Sequence, residues 1–375
     1  QWKRNPYYQY FCGYNEMQLC EPCHSTQLVK FRQRIGKEGM ELIFKVSVQL
    51  HGNKAEEKEV LIDTTVQEKN ITYPTDGKLA IKMIHHLHKI GKKEQLNLRR
   101  TFVKEIKEHR INLRFFKHPK KIKKARSSIK RLRTIVGILI RDISRNLKQD
   151  KLSNYTNTFD LFDKVRNQQI KDSNKVLSLH ESHVYAITKG KDHKKYEYGT
   201  KASIVATKDS GVIVGVASHS KNEHDSKTLE AALISANKTR TTAIKEVICD
   251  RGYRGIKEVL GTIISIPGTT LKKDTEYQKQ QKRDKFKRRA AIEPIIGHLK
   301  SDFRLARNYL KGFIGDQINL LLAATAWNLK KWMNIYFFAI ISGEMKLLLE
   351  SIKQIKLYNQ IFLQLIVIKL IFTHP

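Results

Sequence analysis

Cysteine, proline and acidic residues are all scarce in this chain of 375 residues. Four cysteines exclude a scaffold built on disulfide bonds and favour reduced thiols in a cytoplasmic protein. Asp and Glu number only 36 against 71 Lys and Arg, and the formal charge of +35 argues against a metabolic enzyme with a neutral surface. A field of this sign favours polyanions, with nucleic acid ahead of an anionic membrane. Because 40% of the residues are hydrophobic, the chain can still bury true cores.

Long apolar runs are missing as well. The longest, from Ile361 to Phe372, is interrupted by Gln364 and Lys369 and falls short of the roughly 20 apolar residues that span a bilayer. The chain begins with Gln1 rather than Met, and no apolar core of a signal peptide follows. A glycine-rich loop that could cradle phosphates is also lacking. We therefore expect no membrane partner and no nucleotide cofactor.

The order of apolar patterns predicts an α/β protein with a helical block inserted into its core. The predicted segments are an N-terminal helical DNA-binding region, truncated at its start (1–52), the first part of the core (53–80), a basic helical insertion (81–172), the remainder of the core (173–333) and a C-terminal tail (334–375). For the first segment, an ordinary amphipathic helix with a solvated face explains the pattern equally well.

Periodicity and turn residues predict individual elements within these segments. They are a helix at 25–34 stopped by Gly36 and Gly39, a strand at 60–62, a hairpin of 201–207 with 212–217, a helix at 226–237 capped by Asp225 or Ser226, strands at 243–249 and 262–266, and helices from about Pro294 onward.

Positive charge is concentrated between residues 89 and 150, where 21 Lys and Arg face 5 Asp and Glu. Apolar residues recur at helical spacing through this stretch, which predicts helices with one basic face. The candidate DNA contacts here are Lys120, Lys121, Lys123, Lys124 and Arg126. A solvated face is the alternative, although a one-signed excess favours nucleic acid. A second basic stretch at 272–289 holds nine Lys and Arg and three acids.

Two aspartates follow apolar strand signals at distant points of the chain. Asp63 comes after the run 60–62, and Asp250 comes after the run 247–249. The ends of core strands are where an α/β sheet displays functional groups, and a divalent metal suits several grouped carboxylates. The alternative for either residue alone is a turn aspartate that caps a backbone N–H.

Glu293 is the third candidate carboxylate. On one continuous helix it would share a face with Lys300 and Arg304, an arrangement that suits metal binding beside a grip on phosphate. Because Pro294 fits the first helical turn but disfavours helical geometry at the preceding residue, we expect Glu293 at the start of a helix. An ordinary surface charge pattern is the alternative.

Four blocks of residues carry a family resemblance. They are 5–13 with 31–36, 63–66 with 73–76, 178–181 with 193–199, and 250–255 followed by Arg289-x3-Glu293-x6-Lys300 and 307–312. The chain resembles bacterial insertion-sequence transposases of the DDE class, specifically the insertion-sequence-five group within the insertion-sequence-four-like superfamily. The resemblance covers roughly residues 5–333. Phe286 stands where this family usually has a tyrosine.

The resemblance implies a ribonuclease H-like core in which Asp63, Asp250 and Glu293 bind Mg²⁺ or Mn²⁺. It implies an enzyme that cleaves DNA at insertion-sequence ends and transfers the strands to target DNA, with Arg289 and Lys300 on DNA phosphates. The helix face shared with Glu293 and Lys300 adds Arg304 as a further candidate DNA contact. The implied partners are double-stranded DNA and a second copy of the chain in a synaptic complex, at the bacterial nucleoid. The basic insertion would account for the 187 positions between Asp63 and Asp250.

Two other functions remain open at this stage. One is an inactive, truncated transposase remnant that only binds DNA. The other is an RNA-binding or resolvase-like nuclease, which would share the acidic residues without recognising terminal inverted repeats. Binding to the element's own ends, compared with random duplex, would separate these functions.

Overall fold

The computed structural model describes residues 2–169, 171–191, 194–266, 268 and 271–341. The predicted tail therefore lies outside the described residues from 342 onward, as does the side chain of Phe286. The helices are α1 (Pro6–Phe11), α2 (Ser25–Gln49), α3 (Asp76–Lys93), α4 (Val103–Asn112), α5 (Ile122–Asn146), α6 (Gln149–Leu152), α7 (Thr156–Asn167), α8 (Leu229–Asn237), α9 (Glu276–Arg289), α10 (Ile292–Ser301) and α11 (Gly312–Ile341). The strands are β1 (Glu59–Lys69), β2 (Tyr185–Lys191), β3 (Lys194–Thr207), β4 (Ile213–His219), β5 (Glu246–Ile248), β6 (Glu258–Val259), β7 (Thr262–Ser265) and β8 (Arg307–Asn308).

All of these strands belong to one mixed sheet with the order β2-β3-β1-β5-β7-β6. β4 pairs with β3, and β8 pairs with β1. β1 is antiparallel to β3 and parallel to β5, which is in turn parallel to β7. This mixed α/β arrangement is compatible with the expected ribonuclease H-like core. No helix among the described residues is both long enough and apolar enough to cross a membrane.

The sheet lies in the interior of the protein because its strands carry apolar residues on both faces, which helices cover. Val60, Leu61 and Ile62 of β1 are at most 1% exposed, as expected of a strand covered on both sides. Residues of α2, α8, α10 and α11 complete the hydrophobic core around the sheet. The sheet and these four helices therefore form one packed body.

The helices α3 to α7 occupy the stretch between β1 and β2 and bury a core of their own. Its members include Leu87 on α3, Leu132, Ile135 and Leu139 on α5, and Phe162 on α7. The helical character expected for 81–172 is therefore present, whereas its role as a DNA-binding insertion remains a prediction.

A buried polar network ties the far end of β1 to α11. The Lys69 ammonium donates to the Asp316 carboxylate (2.6 Å) and to the Gly312 carbonyl (3.0 Å). Glu181 accepts a hydrogen bond from the Gly312 N–H (3.1 Å) and lies 3.4 Å from Lys69. A buried charge is costly without a partner, so these contacts hold 178–181, β1 and α11 in one arrangement.

The predicted hairpin and two of the predicted strands are confirmed in outline. β3 and β4 pair antiparallel, with Gly211 at φ 64° in the turn between them. The strand expected at 243–249 is shortened to β5, and the strand expected at 262–266 corresponds to β7.

One predicted helix boundary is confirmed and another is wrong. Gly36 has a non-helical backbone (φ 65°, ψ −167°) and ends the first helical stretch of α2, and a second stretch follows the kink and buries Met40, Phe44 and Val48 in the sheet core. The helix expected at 226–237 begins only at Leu229, after a 3₁₀ turn over Asp225–Thr228. That turn is capped by the His224 ring nitrogen, which accepts from the Ser226 N–H, so neither Asp225 nor Ser226 is the cap.

Candidate active site

The parallel pairing of β1 with β5 brings Asp63 and Asp250 to the same place. Leu61 lies opposite Ile248, and two residues further along each chain stand Asp63 and Asp250. Neighbouring strands lie about 4.8 Å apart, so the two aspartates are adjacent despite their separation in sequence. Asp250 follows β5 as expected, but Asp63 lies inside β1, which continues to Lys69.

Each aspartate is oriented by a nearby backbone N–H. Thr64 N donates to Asp63 Oδ1 at 2.7 Å, and Gly252 N donates to Asp250 Oδ1 at 2.8 Å. The second contact caps the 3₁₀ turn Arg251–Tyr253. A Cβ on Gly252 would lie only 2.9 Å from Asp250 Oδ1, so a larger residue here would displace that carboxylate.

Cys249 and Tyr253 are buried beneath the aspartates and respond to their charge. Burial raises the pKa of the Cys249 thiol to about 12, and the negative charges of Asp250 and Asp63 add to the shift. Burial likewise raises the pKa of the Tyr253 phenol, with further contributions from Asp225 and Asp63. Both groups therefore stay protonated at neutral pH.

Glu293 is attached to the same end of the sheet through its neighbour Ile292. Ile292 packs in a small buried cluster with Leu61 and Ile248, the residues that precede the two aspartates by two positions. The Glu293 side chain itself is 58% exposed, and Oε1 accepts from Arg289 at 3.0 Å. Glu293 lies in the first turn of α10, so its expected position at the start of a helix is confirmed.

Pro294 explains why α9 and α10 are separate helices. In a continuous helix the N–H of residue 294 would donate to the Ala290 carbonyl, but proline has no N–H. The Glu293 N–H donates to that carbonyl instead, at 3.1 Å, which tightens the chain between the two helices. This break places Glu293 at the beginning of α10, over β1 and β5.

The three carboxylates fit a hard divalent cation in their chemistry, since Mg²⁺ and Mn²⁺ prefer oxygen ligands. The side chains do not yet form a closed set: among the described residues, no group of three or more His, Cys, Asp or Glu is arranged to hold a metal ion. Glu293 Oε1 instead accepts from Arg289, the last residue of α9, at 3.0 Å.

Of the three basic residues expected on DNA phosphates beside Glu293, Arg289 and Lys300 lie on the helices α9 and α10, whereas Arg304 follows the end of α10. Arg289 is largely buried against Glu293, and Lys300 lies half-buried in the last turn of α10, seven positions after Glu293. Arg304 does not share that face, so this part of the prediction is wrong. It adopts a left-handed conformation (φ 60°), and the Leu305 N–H donates to the Leu299 carbonyl, which closes the helix before Arg304.

The basic residues predicted at 120–126 are exposed at the beginning of α5. Lys120 and Lys121 precede the helix, and Lys123, Lys124 and Arg126 lie on its solvent side, whereas Ala125 and Ser128 face inward. The Lys121 ammonium lies 4.4 Å from the centre of the Phe115 ring. The surface is thus accessible to a polyanion.

Asp225 is brought to the site although the sequence suggested only a helix cap. Its Oδ1 accepts from Thr64 Oγ1 and from Lys201 Nζ, both at 2.9 Å. Its Oδ2 would be 3.2 Å from a Cβ on Gly252. No spacing in the sequence pointed to this contact, since a loop separates Asp225 from the end of β4.

Comparison with known proteins provides evidence on the family of this chain that is independent of the geometry of the site. Residues 172–329 match the family model described as a transposase DDE domain, and this match supports a DDE transposase. Asp250 and Glu293 fall inside the matched residues, and Asp63 precedes them. An uncharacterized protein, ORF8 in the nfe locus of Rhizobium meliloti, is 34% identical over 122 residues, which are 31% of this chain and 59% of that protein. The chain thus spans less than two thirds of that relative, and no solved structure matches it.

Proposed function

We propose that this chain is a transposase of the insertion-sequence-five group that cleaves DNA at the ends of its element and transfers the strands to target DNA. Asp63, Asp250 and Glu293 are its catalytic carboxylates. The observation that carries the proposal is the β1–β5 register, which makes neighbours of two aspartates that are 187 positions apart. The match to a transposase DDE domain agrees with it.

The carboxylates would together hold Mg²⁺ or Mn²⁺, which when bound supplies activation of the attacking oxygen and stabilisation of the leaving oxygen in an in-line displacement. Asp63 and Asp250 are already adjacent, and each is fixed by a backbone N–H. Glu293 would complete the set, and Arg289, whose guanidinium contacts it, would provide a phosphate contact. Lys300, on the same helix as Glu293, would provide a second phosphate contact.

The exposed lysines and Arg126 at the beginning of α5 bind the duplex outside the cleavage site in this proposal. Their charge is of the sign that neutralises phosphates and releases condensed counterions. A synaptic complex of two element ends requires two active sites, so the working form is a homodimer on double-stranded DNA.

The test is a cleavage assay on a labelled duplex carrying the ends of the element, with Mg²⁺, for the native chain and for Asp250→Asn. We expect nicking at the ends by the native chain and a loss of at least about 10³-fold in the variant, with DNA binding within about twofold of native. Asp160→Asn, on an exposed face of α7, is the matched control and should cleave normally.

Cleavage by Asp250→Asn at the native rate would refute the catalytic assignment. If the native chain bound the ends but cut nothing, the inactive DNA-binding remnant would become the better description. Equal binding to random duplex would instead favour a nuclease that does not recognise terminal repeats.

A further inference from the structure

A lysine–aspartate pair lies against the two aspartates of the proposed site. The Lys201 ammonium donates to Asp225 Oδ1 at 2.9 Å and to the Glu223 carbonyl at 2.6 Å, and its side chain is only 12% exposed. Thr64, the residue next to Asp63, donates its hydroxyl to the same Asp225 oxygen. Asp225 therefore holds a largely buried cation beside the strand that carries Asp63.

The second Asp225 oxygen lies close to the turn that follows Asp250. A Cβ placed on Gly252 would be 2.9 Å from Asp250 Oδ1 and 3.2 Å from Asp225 Oδ2, so both oxygens border the same small space. The negative charges of Asp225 and Asp63 both contribute to the raised pKa of the Tyr253 phenol, after the larger effect of burial. Asp225 thus binds Lys201 with one oxygen and has the other near Asp250.

We propose that Asp225 is a positioning residue that keeps the Lys201 ammonium from neutralising Asp63 and Asp250, so that both carboxylates remain available to a divalent cation. This inference rests on the proposed function. A largely buried ammonium needs an anionic partner, and the flexible four-carbon stem of lysine lets its charge move to another one. The Glu223 side chain is exposed, whereas Asp63 and Asp250 are half-buried like the present partner.

The proposal predicts that Asp225→Asn and Lys201→Gln change the affinity for Mn²⁺ in opposite directions. Asp225→Asn frees the Lys201 charge and should weaken binding of Mn²⁺ at least about tenfold, because one elementary charge then acts on a divalent ion over roughly 10 Å near a protein surface. Lys201→Gln removes the competing cation and should leave Mn²⁺ binding equal or tighter. The double variant Asp225→Asn/Lys201→Gln should return to within about threefold of native, which a merely structural role for Asp225 would not produce.

Two controls accompany these variants. Asp225→Glu retains the charge and should bind Mn²⁺ within about threefold of native. Lys208, directly after β3, and Glu59 on β1 form another lysine–carboxylate pair at 2.7 Å, four residues before Asp63. Glu59→Gln should therefore leave Mn²⁺ affinity unchanged. Circular dichroism and the midpoint of thermal unfolding verify that each variant is folded.

The experiment titrates the full chain with Mn²⁺ alone and measures free Mn²⁺ by electron paramagnetic resonance. The native chain should bind, and Asp250→Asn should not. If Asp250→Asn abolished binding while Asp225→Asn had no effect, or while Lys201→Gln failed to restore it, the inference would fall and the proposed function would stand. If the native chain and Asp250→Asn bound Mn²⁺ equally, both the inference and the metal role in the proposed function would fall.

Discussion

At the scale of single residues, Gly252 leaves space for the carboxylates of Asp250 and Asp225 to lie close to its backbone. Its N–H binds Asp250, and the space where a side chain would begin is bordered by oxygens of Asp250 and Asp225. Its backbone is not left-handed, so the requirement for glycine comes from space and not from conformation.

Gly252→Ala should therefore lower cleavage while the fold survives. A Cβ would displace the Asp250 carboxylate by a few tenths of an ångström. Because a displacement of about 1 Å at reacting groups costs about 100-fold in rate, we expect a loss of about threefold to tenfold. The free energy of unfolding should fall by only about 1 kcal/mol. Single-turnover cleavage and urea denaturation measure the two effects.

Gly297→Ala is the matched control, because a Cβ at Gly297 on α10 meets no atom within 4 Å. It should cleave normally and be more stable by about 0.5–1 kcal/mol, since alanine is the better helix former. A normal cleavage rate for Gly252→Ala would show that the turn after Asp250 adapts without cost.

Individual site residues differ in how far the sequence can predict them. Asp63 and Asp250 could be found because each follows an apolar strand segment. Asp225 could not, because its contacts with Thr64 and Lys201 depend on the path of a loop across the sheet. Arg304 was misplaced because periodicity alone does not reveal where α10 ends.

At the scale of secondary structure, β1 shows that a polar stretch of sequence can be part of a buried central strand. The sequence predicts a strand only at 60–62, and Thr64, Thr65 and Gln67, which follow, are polar. All three are nevertheless buried, and Gln67 donates to the Asp316 carbonyl while Thr64 donates to Asp225. A central strand can bury polar side chains when tertiary partners satisfy them, and those partners are distant in sequence.

Helix α5 was easier to predict because its two faces differ. Its buried residues Leu132, Val136, Leu139 and Ile143 follow helical spacing, and the lysines near its beginning point to solvent. The periodicity alone therefore specified which side would be basic.

Removing positive charge from this face should reduce the salt dependence of DNA binding. If Lys123 and Lys124 each contact a phosphate, Lys123→Ala/Lys124→Ala should lower the slope of log K against log [salt] by about 1.8 in magnitude. Binding isotherms on one end duplex, recorded from 50 to 250 mM salt, measure the slope.

The matched control replaces two exposed lysines that lie outside the helices α3 to α7, Lys238 and Lys257. Their double alanine variant should retain the native slope. An equal decrease in both variants would mean that binding depends on net charge, and no decrease in either would locate the DNA surface elsewhere.

At the scale of the whole molecule, buried histidines couple folding to pH. Burial is the largest cause that lowers the pKa of His51, whose Nε2 lies 3.1 Å from the Asn328 carbonyl. It likewise lowers the pKa of His219, whose Nε2 lies 2.8 Å from Ser203 Oγ. Both rings are therefore neutral in the folded state near pH 6.5, where the unfolded chain takes up protons.

The free energy of unfolding should consequently be highest above pH 6.5 and decrease as the pH falls below that value. The sign follows because the unfolded state binds more protons when the folded pKa is the lower one. Lowered carboxylate pKa values, such as that of Asp302 at about 2, act in the same direction only in more acidic solution. Urea denaturation at pH 7.5, 6.5 and 5.5 measures the decrease.

His51→Gln should flatten this dependence, whereas His118→Gln, at an exposed position, should preserve it. If the free energy of unfolding of the native chain increased when the pH was lowered from 6.5 to 5.5, the assigned direction of the histidine pKa shifts would be contradicted.

The pairing of β1 with β5 also sets an order of events during synthesis. Domains tend to form as the chain emerges from the ribosome, and the self-contained core of α3 to α7 precedes β5 by many residues. The surface proposed to hold DNA is therefore made before Asp63 acquires its neighbour. A translation product that stops before residue 246 has the basic helices but only half of the aspartate pair. Such a fragment would be able to occupy DNA without the means to cut it.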